Sequence, residues 1–439
     1  MRRQIYRFEG ELDEATISEF IQDHEFNVRP RLRKLYNYYL GDHDILRRPY
    51  KIDSPQGRLV HNFPNYITTQ STAYFMGVPI SYTSDNDKAL DIIQPILDFN
   101  DEADMNATHA ENMSIYGVSY ELQYINKKNR IDTRFAVISP EEIIIVYDNE
   151  LEPNIVAAIR YYRDEINSLK VELYDAEKIT YFTGDAYHLR MDSSVDHFFK
   201  DVPVSVFINN NSAQGDFETV LSLIDEYNQL NSDTANDFEY FSDAYLFLSG
   251  ATIDNEEALN MKENKIINID DPNAKAQFLT KNIQDAALEN YKNRLVNDIH
   301  KFSAVPNMTD EAFAGNLSGV AIKYKILGLE NQASMKERKF KKGLQRRYEL
   351  LFNLLYTRGI LSSEDYLTIE PRFKRSLPPN VLEEADMAGK LQGIVSAETI
   401  LSNLSFVEDV TKELQQLQDE SNNIVTGVEG EETIAAIEE

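Results

Sequence analysis

The chain has 439 residues, 42% of them hydrophobic, and its 73 acidic against 44 basic residues give a formal net charge of −29 at pH 7. This excess of acidic residues excludes a protein that binds nucleic acid over its whole surface, because affinity for phosphate comes largely from Lys and Arg. The absence of cysteine excludes disulfides, thiolate catalysis and cysteine-ligated zinc.

The first residues, MRRQIYRFEG, carry arginines without an apolar segment behind them, and no run of about eighteen apolar residues follows. We therefore expect neither secretion nor membrane insertion. The seven histidines are scattered without ligand spacing, so the sequence predicts no metal site and no cofactor.

Helical patterns dominate the first 116 residues. Thr16, with Glu19 three positions later, has the spacing of a capping box and predicts the start of the first helix. Gly41 predicts the end of the second. Further helices are predicted between Asn62 and Gly77, over 88–99 and over 102–116.

Strand patterns follow from 118 to 208, where apolar and polar residues alternate between turns rich in Asn, Asp and Gly. Residues 127–130 are the predicted hairpin turn after the first strand. This alternation predicts one antiparallel sheet layer.

An acidic window follows, because no Lys, Arg or His lies between Lys200 and Lys262. Residues 216–243 have helical periodicity with acids among the apolar positions. Three short strands, YLFLSG, KIINI and AQFLT, are then predicted before a second helix over 284–302. Two helices thus bracket a small strand-bearing insert.

A polar, glycine-containing loop from Pro306 to Gly319 precedes a long amphipathic helix that runs to Arg358. Gly328 and Gly343 are predicted kink positions, and Gly359 is the predicted stop. One or two strands in YLTIEPRFKRSLP and short helices over 381–392, 396–404 and 406–420 follow. From 421 onwards the polar, acidic residues predict disorder.

No phosphate loop, dinucleotide fingerprint, HExxH or GxSxG motif occurs. Asp233 with Asp237 has the spacing of a carboxylate pair, but such pairs are so abundant here that a solvated face is the favoured interpretation. Asp85 to Asp87 resemble only part of a calcium loop. We therefore predict no catalytic residues.

One strongly basic cluster lies on the long helix. Its side chains are interpreted either as a phosphate-facing patch or as ion pairs to acids of a neighbouring chain or segment. The third interpretation is the solvated face of a core helix. Its members are Lys336, Arg338, Lys339, Lys341, Lys342, Arg346 and Arg347.

Several strings in this order resemble the portal proteins of tailed bacteriophages, specifically those of siphophages of Gram-positive bacteria. They are YYLGDHDIL, NFPNYITTQSTAYFMGVPISY, NDFEYFSDAYLFLSG, PNMTDEAFAGNLSGVAIKYKILGLE, SLPPN, GIVSAETILSNL and VEDVTKEL. The likeness runs from about 30 to 420.

The resemblance implies an α+β portal fold with wing, helical stem, small strand-bearing clip and helical crown, assembled as a ring of twelve subunits around a central channel. The implied parts are an N-terminal arm (1–25), wing (26–212), stem helix (213–244), clip (245–282), second stem helix (283–304), tunnel loop (305–318), long wing helix and strand (319–378), crown (379–420) and acidic flexible tail (421–439).

It also implies a non-enzymatic virion protein at the capsid portal vertex, assembled in the host cytoplasm, through which double-stranded DNA passes during packaging and ejection. The implied partners are the terminase large subunit, the head-completion adaptor, and the major capsid and scaffolding proteins. Contacts to terminase and adaptor are expected at clip residues Asp254, Asn255, Glu256, Glu257, Lys262 and Asn264.

The tunnel loop has no basic residue, which suits a conduit because fixed cationic contacts to phosphate oppose sliding. Its expected channel residues are Asn307, Thr309, Asp310, Glu311, Asn316 and Ser318. Of these, Thr309, Asn316 and Ser318 are expected to make short-lived hydrogen bonds to backbone phosphates, and without the resemblance the segment would be an ordinary capping loop. Two alternatives remain open: a virion scaffold or adaptor that conducts no DNA, and a metal-dependent nuclease.

Overall fold

The computed structural model describes residues 5–49, 56–128, 131–185, 187–241, 245–249, 275–279, 285–309, 319–376, 381–402, 404, 406–407, 410 and 412–418. The chain divides into two compact units. The first comprises Met1–Asn307 and Gly328–Arg375, and the second comprises Met308–Leu327 and Ser376–Glu439.

The N-terminal region begins with strand β1 (Tyr6–Arg7) and helices α1 (Glu14–Asp23) and α2 (Arg29–Leu40), joined by a π-helical turn. Asp13, not Thr16, caps α1, because the Asp13 carboxylate accepts the Thr16 backbone N–H at 2.8 Å. The predicted start was therefore too late. Gly41, at φ 87°, ends α2 as predicted.

Three more helices and one strand follow, and their positions agree with the sequence patterns. Asn62 caps α3, and its side chain accepts the Asn65 N–H. Asn86 caps α4 through the Ala89 N–H, so this part of the proposed calcium loop is a helix start. The elements are α3 (Phe63–Met76), β2 (Ser81–Ser84), α4 (Asp87–Phe99) and α5 (Glu102–Tyr116).

The strand region forms two sheets, so the prediction of a single layer is wrong. A six-stranded sheet has the order β1-β5-β6-β7-β8-β9, antiparallel except for the β1–β5 pair, and a three-stranded sheet has the order β10-β3-β4. The strands are β3 (Val118–Ile125), β4 (Thr133–Ile138), β5 (Ile143–Tyr147), β6 (Ile155–Arg163), β7 (Leu169–Tyr174), β8 (Lys178–Gly184), β9 (Leu189–Asp196) and β10 (Val204–Ile208).

Strand β5 shows why two layers form. Its side chains alternate between two cores: Ile144 and Val146 join a cluster with α1, and Ile143 and Ile145 join a cluster with β3 and β10. Burial on both faces accounts for the unbroken apolar run of β5 from Ile143 to Val146. The six-stranded sheet is therefore sandwiched between α1 and the three-stranded sheet.

The acidic window forms the long helix α6 (Leu221–Phe241), and α7 (Asp285–Ser303) packs against it. Strands β11 (Tyr245–Ser249) and β12 (Lys275–Leu279) pair antiparallel, as YLFLSG and AQFLT predicted. The third predicted strand, KIINI, lies outside the described residues.

The predicted long helix is two helices, α8 (Gly319–Lys325) and α9 (Leu327–Thr357), separated at Ile326 beside Gly328. Gly343 does not interrupt α9. Gly359, at φ 69°, ends it as predicted, and the Ile360 N–H donates to the Leu355 carbonyl at 2.9 Å.

Strand β13 (Ile369–Arg372) pairs antiparallel with β2 and completes the described part of the first unit. The second unit contains α8, α10 (Val381–Leu391), α11 (Ala397–Ser402) and helical residues at 412–418. Most helices and most strands thus occupy separate stretches of the chain, and the sheets are mainly antiparallel, which makes the fold α+β.

Gly343 is required by packing. A Cβ there would lie 2.4 Å from Phe207 Cδ1, and Phe207 is fully buried. We expect Gly343→Ala to cost about 1–3 kcal/mol of unfolding free energy from overpacking, although alanine favours a helix. Gly328→Ala on the same helix meets Ala304 only at 3.4 Å and is the control for urea melts. Equal unfolding free energies for Gly343→Ala and Gly328→Ala would refute the packing requirement.

Candidate functional site

Of the six predicted tunnel-loop residues, Asn307 and Thr309 are described; Asp310, Glu311, Asn316 and Ser318 lie outside the described residues. The six predicted clip residues, Asp254, Asn255, Glu256, Glu257, Lys262 and Asn264, also lie outside them. The structure therefore informs on the two helices that lead to these segments and on the start of the loop.

The chain that enters the loop accepts side-chain hydrogen bonds at three backbone carbonyls among residues 303–306. His300 Nδ1 donates to the Val305 carbonyl at 2.9 Å, and the Tyr66 hydroxyl donates to the Pro306 carbonyl at 3.1 Å. Gln332 on α9 donates to the Ser303 carbonyl at 3.0 Å. Because α3, α7 and α9 all contribute, the loop leaves from a rigid base.

The acids of the window are paired mainly with the N-terminal region. The Arg31 guanidinium donates to both Glu218 oxygens, at 2.7 and 2.5 Å. The Tyr38 hydroxyl donates to Asp225 at 2.7 Å, and Arg48 lies 2.6 Å from Asp233. The Asp233–Asp237 pair is therefore no isolated carboxylate dyad, since Arg48 neutralises one member.

Segment 57–61 lies along α6 and binds it through alternate backbone N–H groups. Two residues of extended chain span about 6.7 Å and four residues of helix about 6 Å, so alternate donors meet acceptors one helical turn apart. The donor and acceptor pairs are Gly57 with Asn236 (2.6 Å), Leu59 with Ser232 (2.9 Å) and His61 with Asn228 (2.8 Å).

The basic cluster on α9 does not form one surface. Lys336 is 4% exposed and Arg347 is fully buried, and both bind acids of their own chain. For these two residues, the predicted ion pairs to acids of another segment are confirmed, and the predicted contact with phosphate is wrong. Arg346 lies half-buried, 2.7 Å from Asp201.

Arg347 is the centre of a buried polar network. Its Nε and Nη2 donate to the Glu121 carboxylate at 2.5–3.0 Å, and its Nη1 donates to Glu102 at 2.8 Å and to Asn106 at 3.0 Å. His109 Nε2 lies 3.0 Å from Glu121. One guanidinium thus joins α9 to α5 and to β3.

Lys336 forms a second buried pair with Asp216, just before α6. The Lys336 ammonium also donates to the Ser71 hydroxyl at 2.7 Å, while Ser114 and Asn209 donate to the Asp216 carboxylate at 2.7 and 2.9 Å. Every oxygen of this carboxylate has a donor, which offsets the cost of burying the charge.

The sequence feature that indicates burial of Lys336 and Arg347 is their position on the helix. Lys336 and Arg347 fall at helical spacing with Phe340, Leu344 and Leu351, all of which are buried. They therefore occupy the core-facing stripe of α9 and not its solvated face. Glu121 similarly shares one face of β3 with Ser119 and Gln123, all buried.

The electrostatics of the network are those of a structural ion cluster. Burial would raise the pKa of the Glu121 carboxyl, but the Arg347 guanidinium and the His109 hydrogen bond outweigh it and lower the pKa to about 2. Burial lowers the pKa of His109, so its imidazole is neutral at pH 7. Lys336 lowers the pKa of Asp216 against the opposing effect of burial. All three groups are buried from solvent, which is consistent with a structural role.

These shifts predict acid sensitivity. A carboxyl with a depressed folded-state pKa contributes stability above its unfolded pKa and loses it as pH falls, here between about pH 4.5 and pH 2 for Glu121. We expect the wild type to lose roughly 3 kcal/mol from this group over that range. Glu121→Gln should show a flatter dependence of unfolding free energy on pH, and exposed Glu150→Gln the wild-type slope. Parallel profiles for wild type and Glu121→Gln would contradict the assignment.

In the described part of the chain, no three His, Asp or Glu side chains are placed to hold a metal ion. A cavity of about 500 Å³ between the sheets is lined in part by Arg160, Glu172 and Tyr174. The Arg160 guanidinium and the Tyr174 hydroxyl both donate to the Glu172 carboxylate. Among the described helices, none is long and apolar enough to cross a membrane.

Comparison with known proteins gives concordant matches. The family described as "Phage portal protein, SPP1 Gp6-like" matches residues 18–427. The portal protein of Bacillus phage SPP1 is 25% identical over 446 residues, covering 94% of this chain and 87% of the relative. The portal protein of Clostridium phage phiCD119 is 25% identical over 429 residues, covering 90% and 93%.

Among solved structures, a chain from the neck of an empty GTA particle, computed with C6 symmetry, has a TM-score of 0.44 at 12% identity. The alignment covers 80% of this chain and 89% of that one.

Proposed function

The chain belongs to the SPP1 Gp6-like family of phage portal proteins, and we propose that its copies form a ring at one capsid vertex, around a channel for double-stranded DNA during packaging and ejection. In this proposal the parts have the boundaries expected from the sequence, and no step requires catalysis by the chain.

The observation that carries the conduit is the charge of the segment that leads from the sheets through α6 into the insert. No Lys, Arg or His occurs from 201 to 261. In the N-terminal region, Arg31 and Arg48 pair with Glu218 and Asp233, and the Tyr38 hydroxyl donates a hydrogen bond to Asp225. A wall built from such a segment gives DNA no cationic holding points, so the polyanion slides.

The fixed base of the tunnel loop supports the same function. Bonds from Tyr66, His300 and Gln332 hold the chain at residues 303–306, where the proposed tunnel loop begins. Thr309, Asn316 and Ser318 are proposed to make short-lived hydrogen bonds to the DNA backbone. Asn307, Asp310 and Glu311 are proposed to line the channel beside them.

The proposed partners follow from the position of the insert. The clip, at 245–282, receives the terminase large subunit during packaging and the head-completion adaptor afterwards, through the residues predicted from the sequence. The major capsid and scaffolding proteins surround the ring, which is assembled in the host cytoplasm.

Light scattering after size exclusion, followed by negative-stain imaging of the purified protein, tests the proposal. We expect rings with a central hole and no cleavage of DNA on addition of Mg²⁺ or Mn²⁺. A monomer at micromolar concentration would contradict the ring, and metal-dependent cleavage would favour a nuclease.

A further inference from the structure

A closed ring requires two different surfaces on every subunit, because the contact between neighbours is heterologous. The proposed ring therefore implies a complementary pair of faces on this chain, and the inference below rests on that ring. Charged helix faces that remain unpaired within one subunit are candidates for such a pair.

The outer face of α9 is one such surface. Asn331, Met335, Arg338, Lys342 and Gln345 are all exposed and follow one another at spacings of four, three, four and three residues, which places them on one stripe of the helix. Met335 is 56% exposed although the helix buries most of its other large apolar residues. We call these five residues the α9 outer face.

The bases of the α9 outer face have no ionic partner among the residues that the structure describes. Within the described residues, neither Arg338 nor Lys342 forms an ion pair, whereas Lys341 and Arg346 on the same helix pair with Glu337 and Asp201. The two cations lie one helical turn apart, so a single partner helix can meet both. They are therefore available to a partner outside the subunit.

The outer face of α4 carries the opposite charge. Asp87, Asp91, Gln94 and Asp98 are exposed at spacings of four, three and four residues, while Ala89, Ile93 and Leu97 are buried on the other side. In the described part of the chain, Asp87 and Asp91 have no cationic partner, and Asp98 accepts a hydrogen bond from Gln94 at 2.7 Å. We call these four residues the α4 outer face.

The two faces match in periodicity as well as in sign. Asp87 and Asp91 are one turn apart, as are Arg338 and Lys342, so each pair spans about 6 Å along its helix. Two helices that pack side by side can therefore form both ion pairs together, with Met335 covered at the same contact. Two cooperating pairs at a partly desolvated contact provide more specificity than one exposed pair.

We propose that the α9 outer face of one copy docks on the α4 outer face of the next copy around the ring, with Arg338 and Lys342 paired with Asp87 and Asp91. A second copy is the occupant because it supplies the required acids on a helix of matching spacing. Every subunit presents both faces, so the contact repeats until the ring closes.

A charge-swap series tests this contact. Arg338→Glu with Lys342→Glu, and separately Asp87→Lys with Asp91→Lys, should each shift the protein from rings to monomers in light scattering, while all four substitutions together should restore rings. Lys127→Glu with Lys128→Glu and Glu150→Lys with Glu152→Lys reverse exposed charges elsewhere and should leave rings intact. Circular dichroism melts establish that every variant is folded.

The outcomes separate this contact from the ring itself. Wild-type protein without rings would contradict the proposed function. Wild-type rings that persist in both reversal variants, or folded reversal variants that the fourfold swap does not rescue, would overturn only the α9–α4 contact. Intact rings with reduced DNA packaging in Arg338→Glu/Lys342→Glu would also overturn it, since these bases would then face DNA or another protein.

Discussion

Replacing Arg347 by methionine is expected to lower the free energy of unfolding by about 3–5 kcal/mol, because Glu121 and Glu102 would remain buried without their counter-charge. Methionine fills much of the same space, so a cavity contributes little. Urea denaturation followed by circular dichroism measures the change.

Lys341→Met is the matched control for Arg347→Met. Lys341 lies on the same helix, its side chain is 45% exposed and it pairs with Glu337 one turn away, so its loss is expected to cost no more than about 0.5 kcal/mol. Equal losses of unfolding free energy in the two variants would show that the buried network contributes no more stability than the exposed ion pair.

The double variant Arg347→Met/Glu121→Gln separates the charge from the shape of the network. If an unpaired buried carboxylate causes the loss, neutralising Glu121 should make the double variant more stable than the sum of the single effects predicts. Strict additivity would instead place the cause in packing around Arg347.

Replacing Asn316 and Ser318 by lysine is expected to slow DNA packaging by about tenfold or stop it, while ring assembly stays normal. Two new cations in every copy would line the channel with groups that bind phosphate, and about 1.4 kcal/mol of added holding energy at each step is a tenfold lower rate. Packaged DNA length against time, measured with purified proheads and motor, gives the result.

A control variant carries the same change of charge away from the proposed channel wall. Asn149→Lys with Ser193→Lys substitutes the same residue types at exposed positions on the two-sheet region. This control should package at the wild-type rate. Normal packaging by Asn316→Lys/Ser318→Lys would count against the loop as a DNA contact.

Local signals in the sequence located most helix ends, since caps act over a few residues. Asn62 caps α3, and Gly41 and Gly359 stop α2 and α9 in the left-handed conformation that glycine adopts without strain. Thr16 was mistaken for a cap because Asp13, three residues earlier, offers the same chemistry and has a carboxylate in place of a hydroxyl.

Longer-range features could not be predicted from the sequence, for a physical reason. Alternation shows that a strand has two different faces, but two sheets and one sheet give the same pattern until the partners of each face are known. Likewise, a run of bases on α9 resembles a solvated patch. Only tertiary structure supplies the buried acids Asp216, Glu102 and Glu121 that Lys336 and Arg347 meet.

A cryo-electron microscopy map of the purified assembly tests the proposed DNA conduit. We expect a closed ring in which residues 307–318 line the narrowest part of the bore and no Lys or Arg side chain contacts the DNA path there. A compact monomer, or a bore coated with lysine and arginine, would contradict it.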